Sequence, residues 1–166
     1  MVAPSKPLVG DKGGDKAVMG AIRQKKTGKQ AENVKLTMDQ IILSNIKKEA
    51  PDQDPQRLFN VMKYMVNQKK GKFIQIGNTV IVATPTSPDV AEIHTFTVEP
   101  PETIAKRYKS AANTLKQLGF KKVISYAQSP AFVKIAQNSG LPVKVNQSQQ
   151  MIGNKMVPAY KFELDL

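Results

Sequence analysis

His94 is the only histidine in the chain, and cysteine is absent. That leaves no His–His pair for a metal, no marked Ser-His-Asp constellation and no thiol chemistry or thiolate zinc site. A lone strand histidine is ordinarily a packed or exposed polar residue, and that is the expectation for His94. Glu92 and Glu99 have the chemistry of general bases, for an acyltransferase of unusual type, but no neighbour in sequence fixes either role. No Gly-x-x-x-x-Gly-Lys-Ser/Thr phosphate loop occurs. Asp11–Asp15 (DKGGD) supplies two acids but no bidentate closing glutamate, too little for a calcium loop. The basic clusters Lys69-Lys70, Lys72 and Lys121-Lys122 read as solvated faces. The residue types therefore predict no catalytic residue, no metal and no cofactor.

The elements that would have to position such residues centre on 91–141. Ala91–Val98 (AEIHTFTV) is β-branched and aromatic, as strands are. Pro100-Pro101 stops it and opens a helix, since a proline costs no hydrogen bond in a first turn. Ile104, Tyr108, Ala111, Ala112, Leu115 and Leu118 recur at three- and four-residue spacing, an apolar helical face that Gly119 ends. Lys121–Ala127 is the next strand; Ser129-Pro130 caps a short helix that Gly140 closes. Alternating strands and helices imply parallel or mixed pairing.

Before this stretch, Thr37 and Gln40 have the spacing of a capping box, and Met38, Ile41, Ile42 and Ile46 mark a helix to about Ala50. Asp54-Pro55 starts a second, with Leu58, Phe59, Met62, Met65 and Val66 inward, ending near Lys70-Gly71. Phe73–Ile76 and Thr79–Ala83 flank Gly77-Asn78 as a hairpin, and Pro85–Asp89 reads as a loop. After it, Leu141–Asn146 is a strand, Gln147–Lys155 a polar connection, and Tyr160, Phe162, Leu164 and Leu166 alternate as a half-buried strand. The order is ααββ-βαβα-ββ, an α/β (α+β) chain with a mixed sheet flanked by helices.

Two domains are expected, 1–36 and 37–166. The first carries eight basic residues against three acidic ones, a net of +5, with five glycines, two prolines and no aromatic residue. It reads as a basic arm that cannot order itself alone. Its partner-binding candidates are Lys6, Lys12, Lys16, Arg23, Lys25, Lys26 and Lys29, with Val18, Met19 and Ile22 as an apolar anchor. The whole chain of 166 residues is formally +12, a charge that suits nucleic acid or an acidic protein surface. Neither a membrane-spanning run nor a secretory leader is expected.

Over residues 37–166 the element order resembles the GNAT N-acetyltransferase superfamily. Ser129–Leu141 (SPAFVKIAQNSGL) is similar to that fold's short helix running into its Gly-Phe pair, here Gly140-Leu141. The family's first strand, ahead of the first helix, has no counterpart. In active members the central strand leads into Gln/Arg-x-x-Gly-x-Gly/Ala, whose amides hold the acetyl-CoA pyrophosphate. The corresponding passage here, Val98–Tyr108, has no glycine, two prolines without N–H groups, and the repelling charges of Glu99 and Glu102, which Lys106 and Arg107 partly offset. The family's general-acid tyrosine falls on Ala136. The resemblance thus implies a fold kept and a chemistry lost.

The expected function is that of a non-catalytic structural or assembly protein, similar to small virion proteins of tailed bacteriophages. Its partners would be other structural subunits, its location the virion, or otherwise the cytoplasm. Two alternatives are a divergent acetyl-CoA-dependent N-acetyltransferase and a sequence-independent nucleic-acid-binding protein acting through the arm.

Overall fold

In a computed structural model, residues 34–166 are described, and Thr37–Leu166 forms one unit. The arm residues Lys6, Lys12, Lys16, Val18, Met19, Ile22, Arg23, Lys25, Lys26 and Lys29 lie outside the described residues.

Helix α1 (Met38–Glu49) starts on the capping box that the sequence spells. The Gln40 amide donates to Thr37 Oγ1 at 3.2 Å, and the Thr37 amide donates to Gln40 Oε1 at 2.8 Å. Helix α2 (Pro55–Gln68) starts on Asp54, whose carboxylate accepts from the Gln56 amide at 3.0 Å. Phe59 and Val66 are its buried residues, whereas Met65, expected inward, is 52% exposed. The six-stranded sheet then forms from β1 (Lys72–Ile76), β2 (Thr79–Ser87), β3 (Val90–Thr97), β4 (Lys122–Ala127), β5 (Lys144–Ile152) and β6 (Lys155–Asp165). Helix α3 (Pro101–Gln117) joins β3 to β4, and α4 (Ala131–Asn138) joins β4 to β5. The spatial order is β1-β2-β3-β4-β6-β5.

Both faces of β2 are covered. Ala83 packs with Ala91, Val123 and Leu115 of α3, while its neighbour Val82 lines a groove with α2. Alternation along a strand puts these on opposite faces, so α3 lies on one side of the sheet and α2 on the other. Leu118, counted with the apolar face of α3, is the C-cap residue and 48% exposed.

Two expected loops are strand instead. The segment Pro85–Asp89 belongs largely to β2, which runs through Pro85 to Ser87 with a register shift between those two residues. The expected strand at 141–146 and connection at 147–155 are in fact a long hairpin: β5 pairs with β6 from Lys144↔Glu163 to Ile152↔Lys155, turning at Gly153-Asn154. Pro158 is accommodated because it stands past the last β4–β6 pair, Ala127↔Tyr160, where one flank of β6 has no strand to serve. The short helix starts one residue later than Ser129-Pro130 implies, with the Ala131 amide donating to Ser129 Oγ at 3.2 Å.

Candidate functional site

All neighbouring strands are antiparallel except β3 and β4, which run parallel and pair only at Val90–Glu92 with Lys122–Ile124. Beyond those three pairs the strands diverge. Ser125 marks the parting point, its hydroxyl donating to the Ile93 carbonyl at 3.1 Å. At the far end of β3 the Asn45 carboxamide takes the place of a strand: its Nδ2 donates to the Thr97 carbonyl at 3.0 Å, and its Oδ1 accepts from the Thr97 amide at 3.3 Å. Between these two caps the sheet opens into a cleft of about 630 Å³ lined by Thr95, Tyr108, Ala111, Leu115, Phe132 and Phe162, among others.

Apolar surface predominates in the cleft, though Glu49, His94, Tyr126, Gln128, Gln150 and Glu163 also line it. Tyr108 and Thr95 satisfy each other, oxygen to oxygen at 2.8 Å. Burial pushes the Tyr108 phenol above its ordinary pKa, with the Thr95 bond pulling the other way. Ala136, where the family places its acid, also lines the cleft and offers no titratable group. His94 is exposed and stacks obliquely on Phe96, ring centres 5.0 Å apart. Among the described residues, no group of three or more His, Cys, Asp or Glu side chains could hold a metal.

The passage leaving β3 is filled from within. The Val98 amide donates to the Asn78 carbonyl and the Glu99 amide to Thr97 Oγ1. Pro100 and Pro101 have no N–H, and the Thr103 and Ile104 amides both turn back to the Pro100 carbonyl at 3.0 Å. Among the described residues, the Glu102 amide is the one amide at the mouth of α3 with no acceptor. The Glu99 carboxylate occupies the interior: Oε1 accepts from Thr79 Oγ1 at 2.6 Å and from Arg107 Nε at 3.0 Å, Oε2 from Arg107 Nη2 at 2.8 Å. Burial raises the Glu99 pKa, but the bonds from Arg107, Thr79 and the Asn78 backbone outweigh it and hold the carboxyl below its ordinary range. Arg107 is thus spent on Glu99, not free to offset repulsion of a phosphate as its place in the sequence implies. Glu99, bound on both oxygens, is equally unfit as a base; Glu92 is exposed. Gly77 completes the arrangement. It has φ +61, and a Cβ there would fall 2.6 Å from the Arg107 guanidinium carbon, so the turn needs glycine twice over.

A mixed sheet opening between two parallel central strands, with helices on both faces, is the GNAT acyltransferase fold. Comparison with solved structures agrees. A ribosomal-protein-alanine N-acetyltransferase from Brucella melitensis superposes with TM-score 0.56 at 7% identity, over 78% of this chain and 97% of its own. A spermidine N-acetyltransferase chimera from Vibrio cholerae gives 0.57 at 10% identity, over 76% and 89%. A Bacillus subtilis acetyltransferase in complex with CoA gives 0.52 at 14%, over 80% and 95%. The sequence matches no protein-family model and no curated protein. At such identities the likeness is one of fold.

Sequence reasoning singled out the glycine-free passage after β3 but missed what fills it. Glu99 and Arg107 are eight positions apart across a strand-to-helix turn, a spacing with no periodicity to betray it. Asn45 and Ser125 were missed for the same reason: each acts on backbone far away in sequence.

Proposed function

We propose that the chain is a non-catalytic GNAT-fold protein that works by packing against neighbouring protein subunits, as a structural component of a tailed-bacteriophage particle, with residues 1–36 as its basic tether. One observation carries the non-catalytic part. Where a pyrophosphate would need several amides and positive potential, a single amide is uncommitted among the described residues and an internal Glu99–Arg107 pair takes up the charge. The particle setting rests on the resemblance of such a GNAT-like domain without its phosphate-binding glycines to small virion proteins of tailed bacteriophages, and the tether on the charge of the arm.

Calorimetry with acetyl-CoA and with CoA tests the reading. The expected result is no saturable heat. Binding in the low micromolar range, about −8 kcal/mol, would overturn it in favour of a divergent acetyltransferase.

The tether makes its own demand. A chain beginning at Thr37 should fold with undiminished cooperativity yet fail to co-assemble with the subunits that the full chain joins. Normal assembly of the shortened chain would remove the tether role. Salt-sensitive binding of the full chain to DNA of any sequence would move that role to nucleic acid.

A further inference from the structure

Among the described residues, β5 is one of the sheet's two edge strands, with β1 at the opposite edge. Long flat edges invite another strand, and proteins usually blunt them with short length, charge, proline, a bulge or a covering element. In β5 (KVNQSQQMI) nine residues carry one charge, Lys144 at the first position, with no proline and no glycine. Its register with β6 is unbroken from end to end.

The hairpin fixes which amides face outward. Ile152 and Lys155 flank a two-residue turn and so form its hydrogen-bonded closing pair. Counting back by twos, Gln150, Ser148, Asn146 and Lys144 bond to β6, which leaves the amides and carbonyls of Val145, Gln147, Gln149 and Met151 pointing away from the sheet. Pro158 agrees with this assignment, since it faces Gln149 at a position where β5 asks for no donor.

We propose that two copies of the chain pair antiparallel through β5 about a two-fold axis at Ser148, continuing one sheet across both molecules. That register sets Gln147 opposite Gln149 of the second copy and Val145 opposite its Met151. Every outward amide and carbonyl in both strands then has a partner; a shift in either direction strands some of them. A two-fold contact must be self-complementary, and this one is. Met151, 61% exposed, gains Val145 of the second copy as cover. The two Lys144 residues lie at opposite ends, about 26 Å apart at ~3.3 Å per residue, well beyond the ~8 Å screening length. The pairing is independent of whether the cleft is catalytic, so it and the proposed function fail separately.

The absence of cysteine allows a positional test. Directly opposed residues in such a non-hydrogen-bonded pair have Cα atoms ~4.5 Å apart, within disulfide reach. Ser148→Cys should be captured by mild oxidation as a covalent dimer of the full chain. Asn146→Cys, which faces Gln150 of the second copy, should cross-link only when mixed with Gln150→Cys. By sedimentation the unmodified chain should be a dimer, which Gln147→Pro and Met151→Lys each weaken roughly tenfold or more. The surface change Met151→Lys keeps the test decisive should the proline variant fail to fold. A monomer at about 100 µM, or a dimer in which Ser148→Cys does not cross-link, would overturn the proposal.

Discussion

Leu115→Ala should lower the unfolding free energy by about 2–5 kcal/mol, read as a drop in urea midpoint at unchanged slope. Leu115 is 1% exposed and packs on Ala83 of β2, Ala91 of β3 and Val123 of β4, with Ile74, Ile93, Phe120 and Leu166 around them. Its removal leaves a void that touches three strands, and the methyl groups of Ala83 and Ala91 have no torsion that could swing them into it. The upper half of the range is therefore expected. Leu118→Ala, one turn on and 48% exposed, is the control; it should change stability by less than about 0.5 kcal/mol.

Glu99→Gln should cost about 2 kcal/mol at neutral pH. Breaking a buried ion pair from one side typically costs 3–5 kcal/mol, but the Arg107 side chain keeps 30% exposure against 10% for Glu99, so water relieves part of the orphaned charge. The loss should also depend on pH. The Glu99 carboxyl is held below its ordinary value of 4.5 in the folded chain. A carboxyl with lowered folded pKa binds fewer protons folded than unfolded, so its contribution is complete above that ordinary value and fades as pH falls through the lowered one. Urea midpoints of the two proteins should differ at neutral pH and converge in acid. A constant gap across that window would mean that Glu99 acts through shape, not charge.

Much of the fold was legible because its signals are local. Thr37 with Gln40, Asp54 with Pro55, and the glycines at 77, 119 and 140 each satisfy a constraint within a few residues, and all five act where the sequence placed them. The misreadings share a different cause. The second half of β5, Gln147–Ile152, is an edge with much of its surface open to solvent, so no alternation of apolar and polar residues marks it as strand. Pro85 disguised the end of β2, where its partner Ala91 and a register shift accommodate it. At the site, the missing glycines after β3 were visible as letters. The Thr79–Glu99–Arg107 cluster was not, because it exists only once β2, β3 and α3 are folded together.

The short parallel seam between β3 and β4 has a mechanical consequence. One half of the sheet, β1 to β3, meets the other, β4 to β5, through three residue pairs and the Ser125–Ile93 bond. Tension applied across the sheet converges on that short row of backbone bonds, while the hairpins on either side have five or more pairs each to share it. Helix α3, with Leu115 seated over strands of both halves, bridges the row like a splint. A molecule pulled at the two edges of its sheet would thus bear load along this helix, and yield first where its strands part.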